Sequence, residues 1–318
     1  MHARAQKFVE RIRTRVVVCD GAMGTMLHAR GVLFNRCFDE LNLSMPALVQ
    51  EIHQSYTQAG AEIIETNTFG ANRFRLAAHG LAEKLRAINQ AGVRLARECA
   101  GEEIWVGGAV GPLGVPLEPL GPTSVHEARE AFRRQIAVLG EAGADLIILE
   151  TFSDLNEIRE AIFAAREVCD LPIVAQMTVE QDGHTRLGAS PETFARKLEE
   201  WGADVIGMNC SVGPEVALEV VERMSKVTNR PLAVQPNAGK PVNIEGRSVY
   251  RCSPEYMADY ARRYLQAGAR LIGGCCGTTP EYIKLVKNEV CSLQPAQAPI
   301  CPTVAATVPA KDRPEVLK

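Results

Sequence analysis

The chain has 318 residues, of which 46% are hydrophobic and 23% charged, and its formal net charge is −3. That length suits one large barrel or two ordinary domains, and the charge gives no electrostatic case for nucleic acid or an anionic membrane as partner. No apolar run approaches the roughly 20 residues needed to cross a bilayer.

The N-terminal MHARAQKFVERIRTR (1–15) is basic and amphipathic, without the apolar core or small-residue cleavage site of a secretory signal. Glu10 and the lack of serine also argue against a transit peptide, so a cytoplasmic protein is expected. Its ten cysteines are dispersed with no CxxC framework. In a reducing compartment that pattern suits buried small hydrophobes plus a metal-binding or catalytic subset.

In chain order, the strand candidates are RVVVCD (15–20), QAGAEIIET (58–66), IWVGGAV (104–110), EAGADLIILET (141–151), PIVAQMTV (172–179), EWGADVIGMNC (200–210), PLAVQP (231–236) and QAGARLIGGCC (266–276). Four of them echo one another: a polar helical segment ends at a glycine and a short apolar run follows. Glycine after a helix takes the left-handed conformation that side chains resist, and a short continuous apolar run suits a strand covered on both faces. Amphipathic segments at 45–58, 124–142, 190–201 and 253–266 separate strands, several opening on Ser followed by Pro or Glu, as helix N-termini do. Eight such units over residues 10–290 predict a single (β/α)8 TIM barrel; a doubly wound sheet would need a switch point that is not evident. Residues 291–318, rich in Pro, Ala and Thr, read as a linker-like tail.

A TIM barrel carries its chemistry at the C-terminal ends of its strands. Those ends carry Asp20, Glu65 and Asn67, the turn GPLG (111–114), Glu150, Thr178, Asn209 with Cys210, Asn237, and the adjacent Cys275 and Cys276. Three thiols from strand ends six and eight, taken as neighbours, predict a zinc site with one open position, and no histidine falls at a strand end. A metal held by three thiolates carries net negative charge, which suits keeping a substrate thiol ionised for alkyl transfer better than activating water. The alternative is a vicinal dithiol used for redox or metal sensing without alkyl transfer.

The motifs DGAMGT (20–25), ETNTFGAN (65–72), ILET (148–151), GMNCSVGP (207–214), PNAG (236–239) and GGCCGTTP (273–280) resemble the homocysteine S-methyltransferase family. The resemblance is to the homocysteine-binding module of cobalamin-dependent methionine synthase and of fusions with methylenetetrahydrofolate reductase. It implies a TIM barrel with one Zn2+ on Cys210, Cys275 and Cys276, methylating homocysteine to methionine. It also implies that Asp20 and Glu150 hold the homocysteine ammonium, that the turn at Gly21 to Gly24 offers N–H groups to its carboxylate, and that Asn67 and Asn237 orient substrate. Asn237 is further expected to reach the open metal position. The donor is expected to be methylcobalamin, carried by another module because no DxHxxG-type motif is present, with S-methylmethionine as the alternative. Relatives that use betaine carry tyrosines where this chain has Gly70 and Thr151, so the aromatic cage for that donor is not expected here.

Overall fold

Eight parallel strands close on themselves in the computed structural model, which describes residues 2–244 and 247–293. They are β1 (Val17–Val18), β2 (Ile63–Glu65), β3 (Trp105–Val110), β4 (Leu146–Phe152), β5 (Ile173–Met177), β6 (Val205–Asn209), β7 (Leu232–Gln235) and β10 (Ala269–Ile272). Strand order is β1-β10-β7-β6-β5-β4-β3-β2. The ring closes where Cys19 bridges Ile63 and where Glu62 N donates to Val18 O at 2.7 Å and Asp20 N to Ile63 O at 3.1 Å. The expected (β/α)8 TIM barrel is the observed one. A short antiparallel hairpin, β8 (Val242–Ile244) with β9 (Arg247–Val249), sits in the connection after β7.

The helices follow the amphipathic segments read from the sequence: α4 (Pro46–Gln58), α7 (Val125–Glu141), α9 (Pro191–Glu200) and α11 (Pro254–Gln266). Their starts have local causes. Ser124 forms a capping box with Glu127, while Ser190 and Ser253 accept from the backbone N–H three residues on. No helix among the described residues is long and apolar enough to cross a membrane.

The barrel strands bury both faces, alternating between two layers. Ile147 and Leu149 pack in the cluster beneath the helices, whereas Leu146 and Ile148 join Val17, Ile63, Val174, Val205, Ala233 and Leu271 in the barrel interior. Space inside is tight: a Cβ on Gly207 of β6 would lie 2.1 Å from the Ala233 carbonyl oxygen of β7.

The basic N-terminal segment is α1 (Ala3–Thr14), which begins before the expected boundary at residue 10. Phe8 and Ile12 enter the interior cluster, with Phe8 edge-on to Trp105 at 5.7 Å. Arg4 Nε donates to Asp145 Oδ1 at 2.9 Å. Trp105 and Asp145 stand where β3 and β4 begin, so α1 plugs the end of the barrel opposite the catalytic rim. The expected tail lies outside the described residues from 294 onward; residues 291–293 complete α12 (Pro280–Leu293). Phe8→Ala should cost about 3–5 kcal/mol in urea unfolding, with Phe8→Leu costing less; an unchanged midpoint for Phe8→Ala would show that the plug bears no load.

Candidate metal and substrate site

The strand ends surround a cavity of about 440 Å³ whose lining includes Asp20, Gly21, Glu65, Asn67, Glu150, Asn209, Cys210, Cys275 and Cys276. The three sulfurs lie within 4.8 Å of one another, Cys210 Sγ and Cys276 Sγ being 3.8 Å apart. One geometric expectation is corrected. Strands six and eight are not neighbours, because β7 lies between β6 and β10. The thiols meet over the end of β7: Cys210 N donates to Gln235 O at 2.9 Å and Cys275 N to Pro236 O at 2.8 Å.

Local backbone geometry aims these sulfurs. Cys210 and Ser211 have φ of 59° and 61°, and Thr151 beside Glu150 has 65°; these are the positive-φ residues other than glycine among the described residues. Side chains rarely adopt that region, at a cost of about 1 kcal/mol or more each, and such strain gathers at functional sites. On the other side of the trio, Gly277 has φ of 82°, and a Cβ there would collide with the Tyr250 ring at 2.2 Å. Thr278, inside GGCCGTTP, ties this turn to the one after β1: its hydroxyl donates to Cys275 O at 2.7 Å and accepts from Ala22 N at 3.2 Å. Tyr56 Oη donates to the Ala22 carbonyl at 2.8 Å.

The thiols titrate as a set. Hydrogen bonds from Cys210 and then Cys275 hold Cys276 well below the ordinary thiol range. Cys275 is pushed up by its hydrogen bonds with those two thiols and by burial. Tyr250, from the connection after β7, also hydrogen-bonds Cys276. Nothing in the motifs pointed to Tyr250, because it reaches the site from a connection with no strand-end signal; Thr278 was within reach of the sequence, being part of the cysteine motif.

The same cavity is lined by acids. Asp20, 3% exposed, accepts from Glu65 N at 2.9 Å through Oδ2. Glu150 lies within β4 rather than after it; its Oε2 accepts from Asn209 Nδ2 at 3.2 Å and Thr151 Oγ1 at 3.3 Å. Asn209 also accepts the Thr151 N–H at 2.7 Å, which fixes the bulged end of β4. Burial raises the pKa of Asp20 and of Glu150, and the Glu65 charge raises both further.

The two remaining predicted residues differ. Asn67 lines the cavity, but its amide nitrogen is taken by Phe38 O at 2.8 Å and Asn42 Oδ1 at 3.1 Å. Asn237 is buried behind the lining, its Oδ1 without a hydrogen-bond partner; the next residue's N–H donates to Cys276 O at 3.0 Å. Phe34, Phe38 and Phe69 also line the mouth, which the sequence reading did not anticipate.

The model of the family described as homocysteine S-methyltransferase matches residues 17–290. The chain belongs to the homocysteine S-methyltransferase family. It is similar to methionine synthase of Mycobacterium leprae, 33% identical over 307 residues, covering 91% of this chain and 25% of that protein. Methionine synthase of Mycobacterium tuberculosis is 34% identical over 298 residues, covering 88% and 25%. The chain therefore spans about a quarter of the length of these relatives. Among solved structures, the metallated form of the homocysteine methyltransferase MmuM from Escherichia coli is 27% identical with a TM-score of 0.76, covering 90% of this chain and 99% of that one.

In this homocysteine S-methyltransferase family member the GPLG turn after β3 stays outside the cavity lining. It is pinned from behind: Glu157 of α8 (Leu155–Val168) accepts from Leu113 N at 2.8 Å, and Arg75 Nε donates to Pro112 O at 2.7 Å. Burial raises Glu157 to a pKa of about 7. Between pH 4.5 and 7 the unfolded chain releases this proton while the folded chain keeps it, so the group lowers stability as pH rises and levels off above 7. Glu157→Gln, which keeps the acceptor, should therefore gain roughly 3 kcal/mol relative to wild type between pH 4.5 and 8 in urea unfolding. A difference independent of pH would exclude this.

Proposed function

We propose that this chain methylates the sulfur of homocysteine to give methionine, with one zinc ion held by Cys210, Cys275 and Cys276. The observation that carries the reading is the 3.8 Å separation of Cys210 and Cys276 in a cavity that Asp20 and Glu150 also line. Ligands on a tetrahedral zinc with Zn–S bonds of 2.3 Å lie about 3.8 Å apart, whereas a disulfide needs about 2.05 Å. Asn237 Oδ1, buried without a hydrogen-bond partner next to the residue whose N–H bonds Cys276 O, is an oxygen of the type that could take the fourth position. A zinc ion bound there supplies a thiolate at neutral pH, where a free thiol of pKa about 8.5 is only a few per cent ionised.

The chain's own residues do the rest. Asp20 and Glu150 accept the hydrogen bonds of the α-ammonium, and Asn209 keeps Glu150 turned into the cavity. Acids and thiols line one cavity, as a short substrate with both an ammonium and a sulfur requires, and the barrel mouth is left for the donor. The turn at Gly21 to Gly24 offers N–H groups to the substrate carboxylate, though that of Ala22 is already bonded to Thr278. No general base is required on the protein once the thiol proton is gone.

For the donor we infer methylcobalamin presented by another module. The similarity to methionine synthases, of which the chain spans a quarter, supports this. So do the exposed apolar side chains on the loops after the strands: Leu33 and Phe34, Leu120 and Leu187. S-methylmethionine is the second reading, favoured by the similarity to a homocysteine methyltransferase that the barrel covers almost completely. Betaine is disfavoured. Phe34 is stacked on His28 at 3.9 Å and Phe69 faces the Arg75 guanidinium at 5.2 Å, so one face of each ring is already engaged, and Gly70 and Thr151 stand where betaine-using relatives carry tyrosines.

Protein purified under reducing conditions should hold about one zinc per chain by elemental analysis, and Cys210→Ala or Cys276→Ala should lose it together with homocysteine binding. Full zinc occupancy in Cys210→Ala would overturn the ligand set. Methionine formation assayed with methylcobalamin, S-methylmethionine and betaine in parallel should show the first as the best donor; zinc-independent thiol oxidation with no methionine from any donor would favour the redox alternative.

A further inference from the structure

Asp20 and Glu150 are not the only acids facing the cavity. Glu65, the last residue of β2, stands between them and lines the same wall. Its backbone N–H donates to Asp20 Oδ2 at 2.9 Å, and its carboxyl is hydrogen-bonded with that of Glu150. From within the barrel, Gln235 Nε2 donates to Glu65 Oε1 at 2.7 Å and the Cys19 thiol approaches it at 3.4 Å. Gln235 is fixed in turn by Gln176 Nε2 at 2.7 Å. A relay of two buried glutamines thus holds one carboxyl at the floor of the substrate cavity.

The charge balance of this wall is unusual. Three carboxyls from β1's end, β2 and β4 converge, and among the described residues no Lys, Arg or His is a hydrogen-bond partner of theirs. The arginines that line the cavity are bonded elsewhere: Arg75 to Pro112 O and Arg36 to Glu40. Buried carboxylates without a positive partner are costly, so the wall lacks a cation. A primary ammonium has three N–H donors, one for each carboxyl, and each charge-assisted hydrogen bond is about twice as strong as a neutral one.

We propose that Glu65 is the third carboxyl of the ammonium site and the brace that orients Glu150, so that the cavity selects thiols bearing a free α-ammonium. The proposal rests on reading the cavity as a homocysteine site. Glu65 is then both a substrate contact and a positioning residue for Glu150, while the thiol end of the substrate is untouched by it.

The test compares zinc-loaded wild type and Glu65→Gln by titration calorimetry with L-homocysteine and with 4-mercaptobutyrate, the same thiol without the amino group. Wild type should bind homocysteine far more tightly than its des-amino analogue. Glu65→Gln keeps an acceptor for Gln235 and Cys19 but loses the charge. It should weaken homocysteine by about 10- to 100-fold and leave 4-mercaptobutyrate within twofold, at unchanged zinc content. Equal weakening of both thiols, or an unchanged preference for homocysteine, overturns the assignment of Glu65 alone. No preference in wild type overturns the ammonium site together with the homocysteine reading. Should Glu65→Gln not fold, Glu65→Asp, which draws the charge back by one methylene, must shift the preference in the same direction.

Discussion

Cys210, Cys275 and Cys276 share one cavity with Asp20, Glu65 and Glu150, and among the described residues no Lys, Arg or His is hydrogen-bonded to any of these six. That crowding of latent negative charge is the constraint on which the rim depends. Low-dielectric surroundings penalise each ionised group, so Asp20 and Glu150 hold their protons more tightly than free carboxyls do. The cavity is therefore complementary in charge to cations, as the proposed zinc ion and substrate ammonium are. It is a receptor whose recognition lies as much in what it lacks as in what it offers.

The rest of the fold holds that unfavourable arrangement together. Parallel strands covered on both faces give a stiff interior, and α1 closes it from below with Phe8 and Ile12. The polar relay from Gln176 through Gln235 to Glu65 runs inside this shell, where every donor must find an acceptor. Rigid strand ends fix carboxyls that would otherwise turn away from one another.

Much of this was legible in the sequence, because the signals are local. Glycine followed by a short apolar run marks a helix end and a buried strand, and Ser-Pro-Glu marks a helix start; the strands and the four helices with clear patterns were found on that basis. Cysteines at strand ends were legible for the same reason. What escaped was non-local. Strand adjacency in a closed ring puts β7 between the thiol-bearing ends, which no local pattern reveals. Tyr250 reaches Cys276 from a connection without periodicity, and the role of the N-terminal segment as a plug depends on Trp105, roughly a hundred residues away. Asn67 shows another non-local effect: this strand-end amide lines the cavity, while its nitrogen is bonded to the chain at Phe38 and Asn42.

The left-handed residues Cys210 and Ser211 carry one more implication. A turn that forces two side-chain-bearing residues into a glycine-like backbone is less stable than the same turn built from glycine. Glycine at 211 would relax the turn but loosen the aim of the neighbouring sulfur, and glycine at 210 would remove it. Stability and reactivity thus pull this loop in opposite directions. Variants selected for heat resistance alone would be drawn to the very turn whose strain directs the sulfur.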